Sequence, residues 1–235
     1  MRIALIGDSL TEGKPGVSFS SILQKRNKDI LIDNYGKAGD TVISLNKRLA
    51  NTTFPYEYDL TFLWIGINDV YSQLLGVKPQ PFAKNHQEFK QYYHQILRIL
   101  SESSTKIVTV TPSVIGEKLD NDANNTLKQL SSLIHTISIQ YDNVACLDLH
   151  SLFKNELDGL NTSNYISTSA IKILFDVLLY KKAVRVDHIS SKRGLYLTLD
   201  GVHLNSVGAT FVAEQYEKMV NTSIQNDIKK ADVIN

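Results

Sequence analysis

Four short clusters of glycine with polar residues carry the chemical potential of this sequence: Gly7-Asp8-Ser9-Leu10, Asn34-Tyr35-Gly36-Lys37-Ala38-Gly39-Asp40-Thr41, Gly66-Ile67-Asn68-Asp69 and Asp200-Gly201-Val202-His203. Each alone has a plain explanation. Ser9 suits a helix N-cap, the glycines suit tight turns, and Asn68 and Asp69 suit a turn. His203 alone would more often be a surface or satisfied core histidine. Together they supply a hydroxyl nucleophile, an imidazole base, a carboxylate to orient the base, and donors for an oxyanion. Serine is a poor nucleophile near neutral pH, so it needs a base within hydrogen-bond reach, and histidine has the nearest ordinary pKa. Asp200 precedes His203 by three residues, a spacing that places both on one loop and lets the carboxylate set the imidazole tautomer.

Five runs rich in Ile, Leu and Val predict the strands that must hold these clusters: Arg2 to Ile6, Ile30 to Asn34, Leu60 to Ile65, Lys106 to Thr111, and Asn143 to Leu149. Between them, Phe89, Tyr93, Ile96 and Leu100, and then Leu127, Leu130, Ile134, Ile137 and Tyr141, follow the helical period. Strands alternating with helices imply an α/β fold with a parallel sheet and helices on both faces. In such sheets ligands bind at the carboxyl ends of the strands, where three of the four clusters stand. One domain is expected over 1–222, with 223–235 a polar tail that frays. The stretch Ser151 to Leu199 carries no strand pattern and reads as a helical insertion or lid, including an apolar helix at Ile171, Leu174, Phe175, Leu178 and Leu179. The last helix is placed at Ser206 to Val220.

In their order along the chain, the four clusters resemble the GDSL, or SGNH, hydrolase family. That resemblance implies a flavodoxin-like three-layer α/β/α sandwich with strand order 2-1-3-4-5. It makes Ser9 the nucleophile and first oxyanion donor, with Gly39 and Asn68 as further donors, His203 as general base and acid, and Asp200 as its partner. Asp8 and Asp69 are read as structural, capping helices or tying loops. Asp187 and His188 form a second acid and histidine pair that matches no block of the family, and are read as a decoy. The G-x-S-x-G elbow of the other large α/β serine hydrolase class is absent around Ser9.

The expected activity is hydrolysis of carboxylic esters through an acyl-enzyme on Ser9, with short to medium acyl chains and no metal or organic cofactor. Alternatives with the same residues are acyl transfer and lysophospholipase or thioesterase activity. A non-catalytic binding module on the same scaffold is the alternative from another class. The partner is then a small-molecule ester. With 25 Lys and Arg against 24 Asp and Glu, the net charge of +1 offers no long-range field for nucleic acid or an anionic membrane. No apolar run reaches the roughly 20 residues of a membrane span, so stable membrane insertion is not expected. A single cysteine, Cys146, excludes an intrachain disulfide and a cysteine-based zinc site, and suits a reducing, cytoplasmic location. A leader removed beforehand would leave the same sequence.

Overall fold

A computed structural model of the protein describes residues 1–74, 80–168 and 182–234. In chain order its elements are β1 (Arg2–Gly7), α1 (Ser9–Glu12), α2 (Phe19–Arg26), β2 (Leu31–Gly36), α3 (Val42–Leu49), β3 (Tyr58–Trp64) and α4 (Ile67–Leu74). Then follow α5 (His86–Ser101), β4 (Ser104–Val110), α6 (Asp122–Ser138), β5 (Val144–Leu147) and α7 (Leu149–Leu157). Two further helices, Ala183–Lys192 and Ser206–Ile234, complete the described chain.

All five strands pair in parallel in the order β2-β1-β3-β4-β5, the expected topology. The apolar runs form central strands because side chains on both faces must be covered; Ile3 to Ile6 and Leu60 to Trp64 are buried throughout. At the sheet edge no residue of β2 is fully buried, and Leu31 and Asn34 face solvent. On one side α2 packs against the last helix, and Phe19, Phe62, Trp64 and Tyr216 join helices to sheet, with Phe62 stacked on Tyr216 at 4.2 Å. On the other side α3, α5 and α6 pack in succession, with Phe89 and Tyr93 stacked at 5.4 Å.

Strand ends differ from the sequence reading where caps intervene. The fifth predicted strand overruns by two residues because the Asp148 side chain accepts the Ser151 N–H and starts α7. The polar tail expected to fray continues the last helix as far as Ile234, since no Gly or Pro stops it after Gly208. Within 151–199, α7 and Ala183–Lys192 are helical, and 160–168 is irregular; the predicted apolar helix Ile171 to Leu179 lies outside the described residues.

Candidate active site

Ser9 follows β1 directly and opens α1. Gly7 is required immediately before this turn, because a Cβ there would lie 2.4 Å from the Trp64 carbonyl oxygen of the neighbouring strand and 2.2 Å from Thr11 Oγ1. Asp8 caps the turn by accepting the Leu10 N–H at 2.9 Å. Burial drives the Asp8 carboxyl up to about 7, against the opposing pull of that N–H and of nearby His203.

Ser9 Oγ lies 3.0 Å from His203 Nε2, although 194 residues separate them, and both side chains are buried. His203 Nδ1 lies 2.8 Å from Asp200 Oδ2. A carboxylate can only accept, so Nδ1 carries the proton and Nε2 presents its lone pair to the Ser9 hydroxyl. The other carboxylate oxygen, Oδ1, accepts the backbone N–H groups of Val202 at 3.0 Å and His203 at 2.8 Å. Burial alone would raise Asp200, which is fully enclosed; the His203 charge and these hydrogen bonds outweigh it and hold the acid below its ordinary value.

The loop that carries this pair is braced on every side. Leu199 donates to the His203 carbonyl at 2.6 Å, and Thr198 pairs with Leu204 as an antiparallel bridge. The Ser167 N–H holds the Asp200 carbonyl at 2.9 Å, and the Gly116 N–H holds that of Gly201 at 2.7 Å. Tyr71, on α4 one turn after Asn68, donates its hydroxyl to the Ser167 carbonyl. Gly201 has φ of +92°, and a Cβ there would lie 2.7 Å from the Tyr165 carbonyl oxygen, so the crossing demands glycine.

Gly39 and Asn68 come together through Asp40. The Asn68 amide donates to the Asp40 carbonyl at 2.9 Å, which uses one of its two N–H bonds. Gly39 takes φ of +80° one residue earlier. Lys37 ties this loop to β1 by donating to the Gly7 carbonyl at 3.0 Å. Arg48 on α3 grips the Asp40 carboxylate at 2.7 Å and also donates to the Tyr35 carbonyl. Asp69 accepts the N–H groups of Val42 at 3.0 Å and Ala83 at 3.1 Å, which fixes the start of α3. Burial raises its carboxyl to about 7 despite those bonds.

Ser9, Asp200 and His203 thus form one continuous chain of contacts, with Gly39 on the adjoining loop and Asn68 at the start of α4. Asp187 serves elsewhere: its carboxylate accepts the Ser206 N–H at 2.9 Å at the start of the last helix. The sequence reading passed over the segment after β4, where Glu117 is buried against the chain that leads into Asp200 and His203. The signal available was Gly116-Glu117 beyond a strand's carboxyl end, a place where that reading looked for chemistry. No group of three or more His, Cys, Asp and Glu suited to a metal ion occurs among the described residues.

A parallel 2-1-3-4-5 sheet with serine, histidine and aspartate in contact at its carboxyl edge defines an SGNH-type hydrolase fold. The profile of the GDSL-like lipase/acylhydrolase family matches residues 5–166, and the chain belongs to that family, a family of carboxylic ester hydrolases. Among solved structures it is similar to the acetyl xylan esterase AlAXEase, at 18% identity and a TM-score of 0.67, over 94% of this chain and 100% of that one. It is also similar to Axe2, an acetylxylan esterase from Geobacillus stearothermophilus, at 19% identity and a TM-score of 0.66, over 92% of each chain. A third relative, a member of the lipolytic G-D-S-L family from Veillonella parvula DSM 2008, is 15% identical with a TM-score of 0.64, over 93% of this chain and 97% of that one. At these identities the likeness establishes the fold. A comparison with curated proteins finds no match.

Proposed function

We propose that the protein is a serine esterase that cleaves esters of short to medium acyl chains through an acyl-enzyme on Ser9. The observation that carries this reading is the relay from Ser9 Oγ to His203 Nε2 at 3.0 Å and from His203 Nδ1 to Asp200 at 2.8 Å. Ser9 Oγ attacks the ester carbonyl while its proton passes to His203 Nε2. Asp200 stays ionised and stabilises the imidazolium. The tetrahedral oxyanion is met by the backbone N–H groups of Ser9 and Gly39 and by the second N–H of the Asn68 amide. His203 then gives its proton to the departing alcohol, leaving the acyl group on Ser9. Water attacks that acyl group with His203 again as base, which releases the acid and restores the serine.

Support for the residue roles comes from catalytic mutants of the acetylxylan esterase Axe2, which replace a serine, an aspartate, and a histidine three positions after it. The preference for short acyl groups takes its support from the acetyl esters named for AlAXEase and Axe2. A series of p-nitrophenyl esters from acetate to dodecanoate, run with wild type and Ser9→Ala, tests both parts. Rates highest below about eight carbons and abolished in Ser9→Ala are expected. An optimum at twelve carbons would overturn the short-chain reading, and activity surviving in Ser9→Ala would overturn the nucleophile. Adding a sugar alcohol as acceptor should leave the yield of free acid unchanged; a fall matched by transferred ester would make the enzyme an acyltransferase.

A further inference from the structure

Glu117 is an acid that the Ser9–His203–Asp200 relay does not use, yet it is only 2% exposed. No cation pairs with it among the described residues; its charge is met by four donors instead. Its Oε1 accepts the N–H groups of Leu197 at 2.8 Å and Thr198 at 2.7 Å together with the Thr198 hydroxyl at 2.8 Å. Its Oε2 accepts the Tyr196 N–H at 2.6 Å. Three successive backbone N–H groups therefore converge on one carboxylate, a curled arrangement that a chain adopts around an anion. Charge-assisted bonds of this kind are short and strong, and they fix the backbone that donates them.

What those donors belong to gives the contact its meaning. Thr198 is two residues before Asp200, its hydroxyl accepts the Gly201 N–H at 3.2 Å, and its backbone bridges to Leu204, next to His203. The turn that presents Glu117 also reaches the loop from the other side, since Gly116 N–H holds the Gly201 carbonyl. That turn is itself anchored to α6, with Asn124 accepting the Ile115 N–H at 2.9 Å and Asn121 donating to the Ile115 carbonyl at 3.0 Å. One path from the scaffold to the acid–base loop therefore runs through the Glu117 carboxylate.

We propose that Glu117 is a positioning residue, an internal anion on which the loop from Tyr196 to Asn205 is moulded so that Asp200 and His203 stand in line with Ser9. This rests on the reading of Ser9, His203 and Asp200 as the reacting groups. An amide of the same shape offers the loop one good acceptor where two are needed and turns an N–H donor toward backbone donors. The loop then shifts, and small displacements of a catalytic base cost rate more than binding.

The test uses the full chain with Glu117→Gln and Thr198→Val, a p-nitrophenyl ester, and a fluorophosphonate probe that counts reactive serines. In Glu117→Gln, kcat should fall about ten- to a hundredfold with KM within about twofold, while labelling still reaches one serine per chain at a slower rate. A looser His203–Asp200 contact stabilises the imidazolium less, so the acidic limb of the pH–rate profile should move to lower pH by about half a unit or more. Thr198→Val, which removes one of the four donors together with the acceptor of the Gly201 N–H, should show the same changes at a smaller scale, and wild-type behaviour in it counts against the proposal if Glu117→Gln does not fold. Wild-type kcat and an unmoved acidic limb in a folded Glu117→Gln would overturn the proposal even if its melting temperature drops, as would the same result in Thr198→Val where only that variant folds. If Ser9→Ala retains labelling and hydrolysis, the esterase reading itself fails, a result distinct from either of these.

Discussion

Asp200 spends both carboxylate oxygens on its own loop, Oδ2 on the His203 imidazole and Oδ1 on the backbone N–H groups of Val202 and His203. Replacing it by asparagine keeps the shape but offers His203 Nδ1 an N–H donor as readily as an oxygen, which selects the wrong tautomer. Asp200→Asn should therefore lower kcat by about four orders of magnitude with KM little changed, as measured by steady-state ester hydrolysis. Asn68→Ala removes one of the three proposed oxyanion donors and should cost about a hundred- to a thousandfold in kcat while the variant remains folded by circular dichroism. On the proposed mechanism Nε2 must be unprotonated to accept the serine proton, so kcat/KM should decline as pH drops through the histidine range. A profile flat between pH 5 and 8 would remove His203 from the role of base. The contacts among Ser9, His203 and Asp200 were legible in the sequence because a hydroxyl, an imidazole and a carboxylate make a recognisable set of types, and Asp200 and His203 lie three apart. Glu117 escaped notice because three of its four donors are backbone N–H groups, which leave no mark in side-chain identity.

At the scale of elements, the loop from β2 into α3 is the piece that sets Gly39 and Asn68, and its organising contact is Arg48 with Asp40. Asp40 is nearly enclosed, whereas Arg48 is about one-fifth exposed, and the pair meets at 2.7 Å. Arg48→Met would keep most of the packing but strand the Asp40 carboxylate with only the Ser44 hydroxyl as a side-chain partner. Removing one member of a largely buried pair is costly; with Arg48 partly solvated, about 2 kcal/mol is expected. For a chain of this size that corresponds to a fall of about 4–8 °C in melting temperature, measurable by calorimetry. The sequence reading recovered the strands because five apolar runs are needed to fill a sheet covered on both faces. It misjudged their ends where a single side chain decides, as at Asp148, whose cap turns a strand into a helix. It also stopped the last helix near Val220 on polarity alone, although a solvated helix face is polar and nothing there breaks the backbone hydrogen bonds.

Across the whole molecule, three buried acids, Asp8, Asp69 and Asp200, divide into two groups with opposite pH behaviour. Asp8 and Asp69 are raised to about 7 by burial, so between about pH 4 and 7 the folded chain holds protons that the unfolded chain has released. Their contribution to stability is greatest at low pH and is lost as pH rises toward 7. Asp200, held below its ordinary value, works the other way, and its contribution is lost only as pH falls through the carboxylate range and below. His94 and His150 are both lowered, first by burial, so they too remove stability as pH falls, in this case through the ordinary histidine range. Net stability between pH 5 and 8 is thus a difference of opposing slopes, and a single curve for the wild type would not separate them. Asp69→Asn does, because asparagine mimics the neutral acid and cannot ionise. It loses an acceptor for one of the N–H groups of Val42 and Ala83, a penalty independent of pH. It also escapes the cost of charging a buried carboxyl, a benefit that appears only as pH rises. The melting temperature of Asp69→Asn relative to wild type should therefore improve from pH 5 to pH 8.5 by about 4 °C or more. A difference that is constant across that range would mean that Asp69 remains ionised throughout and that its two backbone donors outweigh its burial.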